Sequence, residues 1–131
     1  MSILPFSVPG MREFETANGI AQLNAERLQI EVEIKDNWFG KTHTRIIEIQ
    51  IPYDEISSVV LKSNWFVNRL VVQTCRITTV RQFPEQESGK ILLNIARGDR
   101  ETARVFAAQL QANIIELELN RLDRVEPFEI E

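Results

Sequence analysis

A duplicated aromatic tripeptide is the feature most able to do chemistry in this chain. Asn37-Trp38-Phe39 and Asn64-Trp65-Phe66 hold both tryptophans, and both fall between runs with strand character. Basic residues flank each copy: Lys35, Lys41 and Arg45 near the first, Lys62 and Arg69 near the second. Large aromatics in loops are costly to leave in water, so they either pack down over the fold or meet a partner. Trp, Tyr and Arg are favoured as interface anchors, which makes Trp38, Phe39, Lys41, Arg45, Trp65, Phe66 and Arg69 the candidate partner-binding set. The alternative is that the aromatics cover an open end of the fold or form a small core beneath the loops.

Other chemistry is harder to assemble. His43 is the only histidine and lies in a basic stretch, Lys41-Thr42-His43-Thr44-Arg45, that repels a cation. Cys75 is the only cysteine, is flanked by Thr74 and Arg76, and is expected to sit buried or inert in a strand. Gly40-Lys41-Thr42 ends like a phosphate loop, but position 35, where the motif needs glycine, is Lys35. Arg97-Gly98-Asp99 reads as strand end, turn and helix start. Glu31 and Glu33 share the wet face of one strand and read as solubilising charges. No nucleophile, base and orienting group come together, so the expectation is a non-enzyme with no catalytic residues, no metal and no cofactor.

The elements that must position these residues follow from hydrophobic period. Leu28, Ile30, Val32 and Ile34 alternate with Gln29, Glu31, Glu33 and Lys35, which predicts a strand with one buried and one wet face. Thr44–Ile51 repeats the pattern and Pro52 ends it; Ile20–Asn24 reads as a short strand before them. Ile56–Lys62 and Leu70–Val80 are rich in β-formers, and Pro84–Gly89 is a turn cluster. Ile91, Leu93 and Ile95 mark a last strand, apolar on both faces and so expected to be covered on both. Past Gly98 the period changes to that of a helix: Ala103, Phe106, Ala107, Leu110, Ile114 and Leu117 form one stripe over about residues 100–121. A helix of this kind draws its stability from what it covers, here the open end of the β-structure.

Six or seven antiparallel strands followed by one C-terminal amphipathic helix resembles the pleckstrin-homology-like (PH-like) fold, in particular its small bacterial domains. The similarity is carried by Ile51-Pro52-Tyr53-Asp54-Glu55-Ile56-Ser57-Ser58-Val59, by Lys90–Ala96 and by Asp99–Asn113. It implies a mainly β domain: a partly open antiparallel β-barrel of six or seven strands capped by the helix. It also implies a binding module rather than an enzyme, working through lipid, peptide or sheet-edge contacts. Phosphoinositide binders carry several basic residues in the first hairpin; Asn24–Arg27, read as that hairpin, has one Arg beside one Glu. The helix tryptophan of eukaryotic members is absent, with Phe106 as its counterpart.

The expected organisation is an N-terminal segment (residues 1–18), a single PH-like domain (19–122) and an acidic C-terminal tail (123–131). Composition places it. The chain has 131 residues, 44% hydrophobic and 26% charged, which is one ordinary globular domain. One cysteine excludes an internal disulfide and suits a cytoplasmic setting; the first ten residues lack the basic start of a signal peptide. A net charge of −4 argues against nucleic acid. The charge is uneven: residues 61–104 carry 8 basic and 4 acidic groups, residues 105–131 carry 2 and 6. The function expected is protein–protein binding or assembly, with self-association into a homo-oligomer, through sheet edges and aromatic loops. The alternative is a peripheral membrane or anionic-lipid contact.

Overall fold

A computed structural model describes residues 2–124. Seven strands form one antiparallel sheet: β1 (Ile3–Ser7), β2 (Glu15–Leu23), β3 (Arg27–Trp38), β4 (Lys41–Pro52), β5 (Ile56–Ser63), β6 (Asn68–Thr74) and β7 (Lys90–Asn94). Their spatial order is β4-β3-β2-β1-β7-β6-β5. Two meanders, β1–β4 and β5–β7, therefore meet at β1 and β7. That junction is narrow, a single pairing of Ser7 with Asn94. The sheet does not close, and α1 (Arg100–Arg124) caps it.

The alternation read from sequence sets the core. Leu28, Ile30, Val32 and Ile34 of β3 are buried, opposite Ile51 and Ile49 of β4 and Leu23, Ala21 and Ala17 of β2. The curved sheet needs one close approach. A Cβ on Gly19 would lie 2.2 Å from Glu31 O and 2.6 Å from Phe6 Cζ, so only glycine fits there. Ala103, Phe106, Ala107 and Leu110 press the helical stripe into the same core, with Ile114 and Leu117 packed at its margin. Fully burying Phe106 and Leu110 contributes about 1.5–3 kcal/mol each. Tyr53 ties the helix to the sheet: its hydroxyl donates to Asn24 O at 2.5 Å and accepts from Asn113 Nδ2 at 3.2 Å.

Several expectations are corrected. β1 lies at the centre of the sheet and β2 begins at Glu15, so residues read as a segment preceding the domain supply its strands. Pro5 interrupts the pattern of β1, so its alternation does not mark it as a strand. The backbone bonds Leu23 N to Ser2 O and Val8 N to Ala17 O fix which residues of β1 point away from β2. Pro5 is one of them, and it lies beyond the single β1–β7 pairing, where no N–H is required. The first hairpin is then the Val8–Phe14 connection, and Asn24–Arg27 belongs to the second.

The strand expected to run to Val80 ends at Thr74. Ile77–Val80 is a 3-10 turn, and it packs against β4 instead of extending the ladder. Cys75 follows at the bend and is exposed rather than buried, its thiol donating to Glu55 O at 3.0 Å. Arg97-Gly98-Asp99 is a 3-10 turn running directly into α1. The helix continues to Arg124, past the expected end, and residues 125–131 of the expected tail lie outside the described residues.

Candidate functional site

Strand direction decides whether the two aromatic tips act together. In an antiparallel sheet of this order β3 and β6 run one way, and β4 and β5 run the other. The β3–β4 tip therefore leaves one end of the strands and the β5–β6 tip leaves the opposite end. The seven candidate residues split into two sites: Trp38, Phe39, Lys41 and Arg45 at one end, Trp65, Phe66 and Arg69 at the other.

The first site crowns a projecting hairpin. Lys41–Ile46 of β4 are all exposed, so this half of the arm stands clear of the core. Trp38 pairs with Lys41 across a two-residue turn made by Phe39 (φ 51°) and Gly40 (φ 77°). Two positive φ values define a type I′ turn, whose first position is normally Asn, Asp or Gly. Phenylalanine there is uncommon and sterically costly. Phe39 is also 98% exposed, so no burial offsets that cost. Trp38 is 44% exposed and leans on Phe14, ring centroids 4.2 Å apart, with Phe39 6.2 Å beyond it. The N–H of Asn37 donates to Phe14 O at 2.9 Å and closes the base of this cluster. Trp38 thus satisfies part of the packing alternative, and Phe39 satisfies none of it.

The arm also presents a free edge. A two-residue I′ turn makes Trp38–Lys41 a hydrogen-bonded pair, and the bonded pairs then recur every second residue. Thr42, Thr44, Ile46, Glu48 and Gln50 consequently turn their N–H and C=O groups away from β3. β4 ends the strand order, so no other strand of the sheet pairs with them. Asp36, on the inner face opposite His43 and Glu15, keeps Oδ1 buried without a hydrogen-bond partner.

The second site is a four-residue loop fixed by an Asx turn. Asn64 Oδ1 accepts from the N–H groups of Phe66 and Val67, both at 2.8 Å. Arg97 Nη2 donates to Trp65 O at 3.2 Å, and Arg100 donates to Asn64 O at 3.0 Å and Asn68 Oδ1 at 3.2 Å. The loop backbone is held, yet Trp65 is 83% and Phe66 95% exposed. Arg97 and Arg100 were not among the residues singled out from the sequence. Folding brings them from the helix start to a loop some thirty positions earlier, which local pattern does not reveal.

Among the described residues no group of three or more His, Cys, Asp or Glu side chains is placed to hold a metal ion. His43 is exposed on the arm. No described helix is long and apolar enough to cross a membrane. Compared with known proteins, the chain matches no family model, no curated protein and no solved structure.

Proposed function

We propose that this chain is a non-catalytic binding and assembly module, of PH-like kind, that works through protein–protein contacts. The observation that carries the reading is Phe39: an aromatic in a left-handed turn position, 98% exposed, at the tip of an arm with a free β-edge. A residue that is costly to hold and buries nothing in its own chain is explained by burial in another molecule. The β4 edge supplies the main-chain pairing and Phe39 the anchor. Self-association is the simplest form, because two β4 edges pair about a two-fold axis.

Size-exclusion chromatography with light scattering over a wide concentration range tests this. The wild-type chain is expected to associate. Thr44→Pro removes an outward N–H without touching the β3 ladder, and with Phe39→Asn it is expected to give monomers. A wild-type chain that stays strictly monomeric at high concentration would refute self-assembly.

A second reading has its own observation. Phe14, Trp38 and Phe39 lie together at one end beside Lys41, an arrangement suited to shallow insertion at an anionic membrane surface. Sedimentation with anionic vesicles at low salt, with Trp38→Ala and Trp65→Ala variants, separates it; absence of sedimentation removes it.

A further inference from the structure

Four basic residues border the Trp65–Phe66 loop. Lys62 and Arg69 stand directly opposite each other on the outer face of β5 and β6, a like-charge pair that costs stability. Arg97 and Arg100 approach the loop from the start of α1, on the other side of the sheet, where Arg100 bonds Asn68. Among the described residues none of these four makes an ion pair with a carboxylate. Their hydrogen bonds go to neutral groups: Asn94 Oδ1 for Arg69, loop carbonyls and Asn68 Oδ1 for the two helix-start arginines. Two grooves flank the loop. One, of about 410 Å³, is lined by Ser63, Asn64, Trp65, Arg97 and Arg100. The other, of about 590 Å³, runs from Phe66 and Arg69 to Pro5 and Phe6, where β1 and β7 part company.

The chain itself contains a segment of complementary chemistry. Residues 125–131, Val-Glu-Pro-Phe-Glu-Ile-Glu, set Phe128 and Ile130 among Glu126, Glu129 and Glu131. We propose that the groove lined by Trp65, Arg97 and Arg100 binds residues 125–131 of a second copy of the chain, carboxylates on the two arginines and Phe128 beside the exposed Trp65–Phe66 loop.

Reach points to the second copy. The groove adjoins Arg100 at one end of α1, and the segment follows Arg124 at the other. At ~1.5 Å per residue those ends lie about 36 Å apart. Even fully extended, Phe128 lies at most ~14 Å past Arg124, and Glu131 at most ~25 Å. Phe128 of the same chain thus falls well short of the Trp65–Phe66 loop beside Arg100, and the pairing proposed joins two copies. A contact between one end of a copy and the other end of the next is heterologous, and it propagates into a ring or an open chain of subunits.

This proposal rests on the assembly reading but uses a different surface from the β4 arm, so the two fail separately. The probe is a fluorescent peptide of residues 123–131. It is titrated by anisotropy into the full chain carrying E126K/E129K/E131K, whose own segment no longer competes. Saturable binding is expected, weakened about tenfold or more by R97E/R100E and by raising salt. Equal binding to the R97E/R100E chain, or no binding, overturns the proposal whatever the oligomeric state. A charge swap guards against misfolding: the R97E/R100E and E126K/E129K/E131K chains, each impaired alone, should associate when mixed. Failure of the mixture while both variants melt cooperatively also overturns it. Self-association that survives the segment's charge reversal but is lost in Phe39→Asn leaves the arm reading intact and this one refuted.

Discussion

Replacing Phe39 by asparagine should make the protein more stable and less able to associate, a combination that few single substitutions produce. A non-glycine side chain in the left-handed region costs about 1–2 kcal/mol, and asparagine is among the residues that tolerate it best. At φ 51°, followed by Gly40 at 77°, Phe39→Asn creates the Asn-Gly pair that I′ turns prefer. Little opposes the gain. Phe39 is 98% exposed, so almost no buried area is lost. What goes is its tilted contact with the Trp38 ring at 6.2 Å, worth about 0.5 kcal/mol at such an exposed site. The net stabilisation is about 0.5–1 kcal/mol. With an unfolding entropy near 2.1 cal/mol/K per residue over 131 residues, Tm rises by about 2–4 °C. The measurement is calorimetric melting of monomeric samples beside light scattering at high concentration. A fall in Tm would mean that Phe39 is packed and would refute the reasoning. A rise in Tm with association unchanged would refute the role given to Phe39 while sparing the turn analysis.

Other expectations concern the fold that holds the arm. Gly19→Ala places a Cβ against Glu31 O and the Phe6 ring and should cost about 3 kcal/mol or more, read by urea unfolding. Leu110→Ala, at a fully buried helix position, should cost about 2–5 kcal/mol, with a loss of cooperativity if the helix lifts off the sheet. Tyr53→Phe removes the bonds to Asn24 O and Asn113 and should cost about 1 kcal/mol. Burial pushes the Tyr53 hydroxyl above its usual 10.0, outweighing the opposing hydrogen bond from Asn113. The native state then holds its proton more tightly than the unfolded state, so stability falls as pH rises above about 10. Alkaline melts of the wild type should show that decline more steeply than those of Tyr53→Phe. Cys75, exposed after β6, should react with a thiol reagent in the native state; a thiol labelled only on unfolding would contradict its placement.

Period alone determined most of the elements. Alternation over Leu28–Ile34 and Ile47–Ile51 fixed two strands and their inner faces, because a half-buried strand must repeat every two residues. The three- and four-residue steps from Ala103 to Leu117 fixed the helix and its buried side for the same kind of reason. The sequence also marked the aromatic tripeptides as exceptional. Tertiary structure decided what period cannot express. β1 is short and broken by Pro5, and it is a strand because β2 and β7 pair with it. Ile77–Val80 has strand composition yet coils into a 3-10 turn against β4, packing overriding propensity. Strand order separated the two aromatic tips that similarity of sequence had joined. Folding also brought Arg97 and Arg100, more than thirty positions away along the chain, onto the Trp65 loop. Net charge is a sum over sequence, whereas a binding surface depends on which charges the fold makes neighbours.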